Sequence, residues 1–277
     1  MTFAFAALLI FAGGCSNLGS LLGSNKPSAR IVGAKLADLS LTSATLNFDV
    51  ELSNPYAVPL PLTNVEYSLA SGGTAFLSGN AQLQGTVPAK GSKVVTVPAK
   101  LDFARVLGAV KGISPGAVVP YEAKVTLSVD APAPVGTLSL PLDKKGEFPI
   151  PTIPSFELTE VQWQNLSFEK ATAVLRIKMA NRNQFPIDLS KLALNLSLAN
   201  TPIVTTSLAQ SAKFEGGQEN TLEIPITFAP KDLGFAAFQV LRGENAGYKL
   251  SGTANLVTPF GAMDVPYEKT GDARFRK

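Results

Sequence analysis

Apolar and polar residues alternate in short runs along most of the chain. Phe48, Val50 and Leu52 alternate with Asn47, Asp49 and Glu51, and Val65, Tyr67 and Leu69 alternate with Asn64, Glu66 and Ser68. A period of two puts every second side chain on one face, so each run predicts a strand with one buried and one solvated side. Between them, NPYAVPLPL at 54–62 is a turn with extended flanks. Asn54 starts an Asx turn, while Pro55, Pro59 and Pro61 fix φ and hold their predecessors extended. Prolines also remove backbone donors, which predicts a sheet edge for this segment. Residues 93–101 read as a further strand. Asp102 then caps a short helix with Phe103, Val106, Leu107 and Val110 at helical spacing and Gly112 as its stop. Residues 121–129 and 137–142 close the pattern as a hairpin around APAPVG.

The pattern then returns. Residues 36–69 align without a gap on 163–196 at a constant offset of 127, which carries Asn54 onto Asn181, Leu39 onto Leu166 and Pro59 onto Pro186. A period this long is that of a whole small domain, not of a solenoid repeat. In the second copy Leu175, Ile177 and Met179 point inward, followed by Leu192, Leu194 and Leu196. Asp232 is expected to cap a helix buried through Leu233, Ala236, Ala237 and Val240. Trp163, the one tryptophan, falls on the apolar position of Leu36 and is expected in the core. Each copy has about seven strands and one helix, the inventory of a β-sandwich. The predicted fold is all-β, with two tandem immunoglobulin/fibronectin-III-like sandwiches at 31–148 and 155–277. Pro-rich 149–154 joins them as a semi-rigid extended spacer.

The N-terminal end changes this picture. Residues 3–12 form an apolar run of signal-peptide length, ending in Ala12-Gly13-Gly14-Cys15. Small residues before a lone cysteine resemble the lipobox of bacterial lipoproteins. That resemblance implies a signal peptide at 1–14, acylation of Cys15 as the mature N-terminus, and a Ser/Gly/Asn-rich tether at 15–30. It places the chain in the bacterial cell envelope, on the periplasmic face of the outer membrane, with the membrane as a partner through that anchor. The formal net charge of +3 and the lack of any basic block argue against nucleic acid. The densest basic run, 274–277, reads as a frayed, solvated terminus.

Candidate chemistry is sparse. The chain has no histidine and one cysteine, which removes the commonest general base, the commonest metal ligand and any intrachain disulfide. No phosphate-binding loop surrounds its glycine pairs, so the sequence reads as non-enzymatic, without cofactor or metal. Asp49 and Glu51 share one outward strand face, and the same face of the second copy carries Arg176 and Lys178. Either the modules, or a partner, meet through these opposite charges, or both faces are simply solvated.

Both modules resemble the water-stress and hypersensitive-response (WHy) domain of the type-2 late embryogenesis abundant proteins. The residues that carry the resemblance are DVELSNPYAVPLPLTNVEYSL at 49–69, GTVPAKGSKVVTVPAKLDF at 85–103 and YKLSGTANLVTPFGAMDVPYEKTGD at 248–272. The second copy departs at its turn, where Arg182 replaces Pro55. The first departs at its hairpin tip, APAPVG against TPFG. The resemblance implies a folded sandwich, a role in tolerance of desiccation or related stress, and no catalytic residues. Two alternatives stay open. One is a carrier of lipid or another apolar ligand, with Phe235, Phe238 and Leu241 lining a cavity between sheet and helix. The other is an adaptor binding an envelope protein through a sandwich edge.

Overall fold

A computed structural model of the chain describes residues 26–208 and 212–276. The first module runs β1 (Ser28–Ala37), β2 (Ser43–Ser53), β3 (Leu60–Ser71), β4 (Thr74–Gln82), a two-residue β5 (Thr86–Val87), β6 (Ser92–Asp102), α1 (Phe103–Ala109), β7 (Val118–Ala131) and β8 (Gly136–Pro149). The second repeats this order as β9 (Ser155–Leu166), β10 (Ala171–Ala180), β11 (Ile187–Leu198), β12 (Thr201–Leu208), β13 (Ala212–Phe214) and β14 (Glu219–Phe228). A 3-10 turn (Pro230–Leu233), α2 (Phe235–Leu241), β15 (Asn245–Thr258) and β16 (Gly261–Arg276) complete it. The fold is all-β in two modules. The period of two decides which faces meet: Phe48, Val50 and Leu52 on β2, and Leu175, Ile177 and Met179 on β10, are at most 1% exposed.

Strand β1 begins at Ser28, opposite Ser53, so the last residues of the expected tether are part of the sheet. The proline-bearing β3 is not an edge strand, since it lies between β4 and β7. Its proline end escapes the conflict by overhanging the ladder. Pairing with β7 starts at Leu62, and Leu60 and Pro61 pair with the short β5 instead.

The sheets of the two modules close differently. In the first, β1-β2-β6 and β4-β3-β7-β8 are separate sheets. In the second, one continuous path, β12-β11-β15-β16-β9-β10-β14, wraps the module. The link is parallel pairing of Arg274, Phe275 and Arg276 with Glu160, Val161 and Gln162. Residues 274–276 of the basic run are therefore a strand end rather than a frayed terminus. Phe275 meets Trp163 edge-on at 5.8 Å, and Trp163 is buried as its alignment with Leu36 predicts.

The helices also differ. Asp102 caps α1 as expected, accepting from the backbone N–H groups of Ala104 and Arg105, and Phe103, Val106 and Val110 are buried. In the second copy Asp232 caps nothing and lies inside the 3-10 turn. Pro230 sets φ for that early turn, and Gly234, at φ 89°, breaks the chain before α2 begins at Phe235. The inward residues of α2 are Phe238 and Leu241, whereas Ala236 and Val240 face solvent. The connecting segment is not a free spacer. Ile150 is 1% exposed, its N–H donates to Ala117 O at 2.9 Å, and its carbonyl accepts from Gly116 N at 2.6 Å.

Four of the five tyrosines lie across a strand pair from a glycine: Tyr67 from Gly79, Tyr121 from Gly146, Tyr248 from Gly271 and Tyr267 from Gly252. Each ring lies over its glycine; a Cβ at Gly79 or Gly146 would come within 2.5 or 2.6 Å of the tyrosine hydroxyl oxygen. An aromatic ring thus covers the backbone where the glycine has no side chain to pack.

Candidate functional site

The two asparagines at the alignment's anchor are buried, each 1% exposed. Burying an amide requires that its donors and acceptor be used. Asn54 donates through Nδ2 to the carbonyls of Val58 (2.8 Å), Val87 (3.2 Å) and Pro88 (3.0 Å), and its Oδ1 accepts from Tyr56 N at 2.9 Å. Its backbone N–H donates to Gly91 O at 2.8 Å. Asn181 repeats every bond: Nδ2 to Phe185 O (2.8 Å), Phe214 O (3.2 Å) and Glu215 O (3.2 Å), Oδ1 from Asn183 N (3.0 Å), and N–H to Gln218 O (2.9 Å). All five partners lie at the same offset as the asparagines. Replacing Pro55 by Arg182 leaves the turn unchanged, because position 55 contributes no donor to it.

What changes is the outer side of the turn. Tyr56 and Ala57 of the first copy become Asn183 and Gln184. Asn183 is 3% exposed and clasps the linker, accepting from Thr152 N at 2.8 Å and donating to Thr152 O at 3.1 Å. The Gln184 N–H donates to Gly116 O at 2.8 Å, and its side-chain oxygen accepts from Val118 N at 3.1 Å. Gly116 has φ 94°, and a Cβ there would fall 2.6 Å from Arg182 O. The turn end of the second module is thereby docked on the base of the first. Beside it, Phe260 at the tip of the β15–β16 hairpin packs on Phe185 at 5.4 Å and borders Ala34, Leu36 and Tyr121 of the first module. The sequence reading missed Gly116, Thr152, Asn183 and Gln184. Their one signal is that Tyr and Ala in the first copy become two amides in the second.

The charged faces are occupied within their own sheets. Asp49 accepts from Thr96 Oγ1 at 2.7 Å, and Glu51 pairs with Arg30 at 2.5 Å. Arg176 lies 3.4 Å from Glu223 and 3.9 Å from Glu160, and Lys178 is 2.5 Å from Glu219, whose hydrogen bond raises the lysine pKa. Among the described residues no hydrogen bond or ion pair joins Asp49 or Glu51 to Arg176 or Lys178.

Phe235, Phe238 and Leu241 do not share one surface. Phe235 is 65% exposed, Leu241 is core, and Phe238 is covered by the half-buried Phe168, edge-on at 5.4 Å. Cys15 lies outside the described residues. Among the described residues no group of three or more His, Cys, Asp or Glu side chains could hold a metal ion, and no helix is long and apolar enough to cross a membrane. Burial raises the pKa of Tyr121, Tyr248 and, most strongly, Tyr267, whose hydroxyl donates to Ala193 O.

Comparison with known proteins matches the same two units. The family model of late embryogenesis abundant protein (LEA_2) fits residues 49–146 and again 176–271. A desiccation protectant protein of Glycine max is 30% identical over 128 residues, covering 46% of this chain and 84% of that protein. A late embryogenesis abundant protein of Gossypium hirsutum shows the same identity and coverage. The solution structure of an Arabidopsis thaliana protein covers 46% of this chain and 84% of its own, at 23% identity and a TM-score of 0.39.

Proposed function

We propose, from the premise that this chain belongs to the LEA_2 family of late embryogenesis abundant proteins, that it is a non-enzymatic stress-protection protein acting during water loss. The observation that carries this reading is the double family match, with a relative of Glycine max described as a desiccation protectant. Two WHy-like sandwiches docked end to end present long polar strand faces, and the Asn-turn joint holds them as one body. Folded sheets with satisfied backbones keep their shape as water is withdrawn, since their hydrogen bonds do not depend on solvent. Cys15, acylated, anchors the chain to the envelope membrane. Deleting the gene and measuring survival after drying tests the role, and survival equal to that of the parent strain would overturn it. Metabolic labelling with a palmitate analogue, native chain against Cys15→Ala, tests the anchor separately; label that persists in the variant would remove it.

A further inference from the structure

The base of the first module carries an open-sided groove of about 710 Å³, within the roughly 300–1,000 Å³ typical of small-molecule sites. Its floor is apolar: Leu41, Phe103, Leu107, Ile150 and Pro151. Lys100 and Arg105 stand at its rim, exposed, and neither has an ion-pair partner among the described residues. The one carboxylate there, Asp102, is engaged with the backbone amides of Ala104 and Arg105. An apolar trough whose lining includes two free cations is complementary to a molecule with an apolar tail and an anionic head.

The second module supplies an internal contrast. At the offset of 127, Leu41 becomes Phe168, Lys100 becomes Thr227 and Arg105 becomes Asp232. Phe168 stands edge-on to Phe238 and Phe235, at 5.4 and 6.2 Å, where the first copy has the shorter Leu41. The two cations of the first copy are thus not kept in the second, where the exposed Lys231 instead takes the place of Ala104.

We propose that this groove binds an anionic amphiphile, its acyl chain along Leu41, Leu107 and Pro151 and its carboxylate or phosphate between Lys100 and Arg105. The inference stands independently of the stress role. It is tested on the whole chain by calorimetric titration with laurate, lauroyl lysophosphatidylglycerol and dodecanol, each as monomer, and by sedimentation with phosphatidylcholine vesicles with and without phosphatidylglycerol. Saturable one-to-one binding of laurate or of the lysolipid is expected, and whichever binds identifies the head group. The double variant Lys100→Glu/Arg105→Glu should weaken that binding at least tenfold and change dodecanol binding less than twofold. Ala104→Trp, an exposed position on the groove wall, should block all monomeric probes, whereas Ala236→Trp on α2 should block none; thermal unfolding checks that each variant is folded. Absence of saturable binding, affinity unchanged by Ala104→Trp or by the charge reversal, or association with vesicles alone would overturn the proposal.

Discussion

The turn of each module and the seam of each module tell opposite stories. At the turn, Asn54 and Asn181 keep five hydrogen bonds to five corresponding partners. At the seam, where the first strand of each module meets its last, the first module is open and the second is joined by a parallel ladder. The cause is local. Strand β8 ends in Pro149, and Pro151 follows, so the chain has no N–H groups at the spots where a ladder to β1 would need them. The second module ends instead in Arg274-Phe275-Arg276, with every donor present. A duplicated fold can thus diverge at its edges through a handful of backbone donors while its buried polar anchor stays fixed.

The largest expected effect breaks the shared element. Asn54→Ala and Asn181→Ala each take the amide partner from three carbonyls, buried or part-buried, and from one N–H, and should lower stability in urea unfolding by about 3 kcal/mol. Asn181→Ala should cost more than Asn54→Ala, because Asn183 loses a partner as well; equal losses would mean that the junction adds nothing.

Truncation after Ala273 attacks the unshared seam. It removes the parallel pairing and the Phe275–Trp163 contact, an expected loss of about 2 kcal/mol. Hydrogen exchange should then speed up at residues 160–162 and stay unchanged in β1. Gln184→Ala sharpens the contrast between the two turns. It should cost about 1 kcal/mol, speed proteolysis within 149–154 and lengthen the particle in X-ray scattering, whereas Ala57→Gln should do none of these.

Surface charge should matter least. Glu51→Lys is expected to change stability by less than about 1 kcal/mol. Arg30→Glu should restore that loss and Lys178→Glu should not. With no histidine, stability should be flat between about pH 6 and 9. Above that range Tyr121, Tyr248 and Tyr267 take over. Their folded pKa values lie above the ordinary 10.0, so the unfolded chain ionises first and stability falls as pH rises past that value. Alkaline unfolding monitored by tyrosine absorbance checks the sign.

The interior was readable from the chain because burial on strands repeats every second residue. Phe48, Val50, Leu175 and Met179 took the faces their spacing predicted, and the gapless offset placed Asn181 in its turn. The junction was not readable, because nothing in the pattern says that Asn183 and Gln184 face Thr152 and Gly116; that depends on how two finished modules meet. Helix α2 was misread at Asp232 because a 3-10 turn begun by Pro230 moved the cap and rotated the buried face to Phe238 and Leu241. The tail was misread because a terminus of charged residues gives no sign of a strand until a partner, Glu160–Gln162, lies beside it.

The asymmetry of the seams has a mechanical meaning. A pull along the chain from its two ends loads the second module between β9 and β16, whose parallel hydrogen bonds lie across the force and must break together. The first module offers no such clamp, since β1 and β8 belong to separate sheets. Between its two ends the described chain is a soft element in series with a stiff one, and strain collects in the first module.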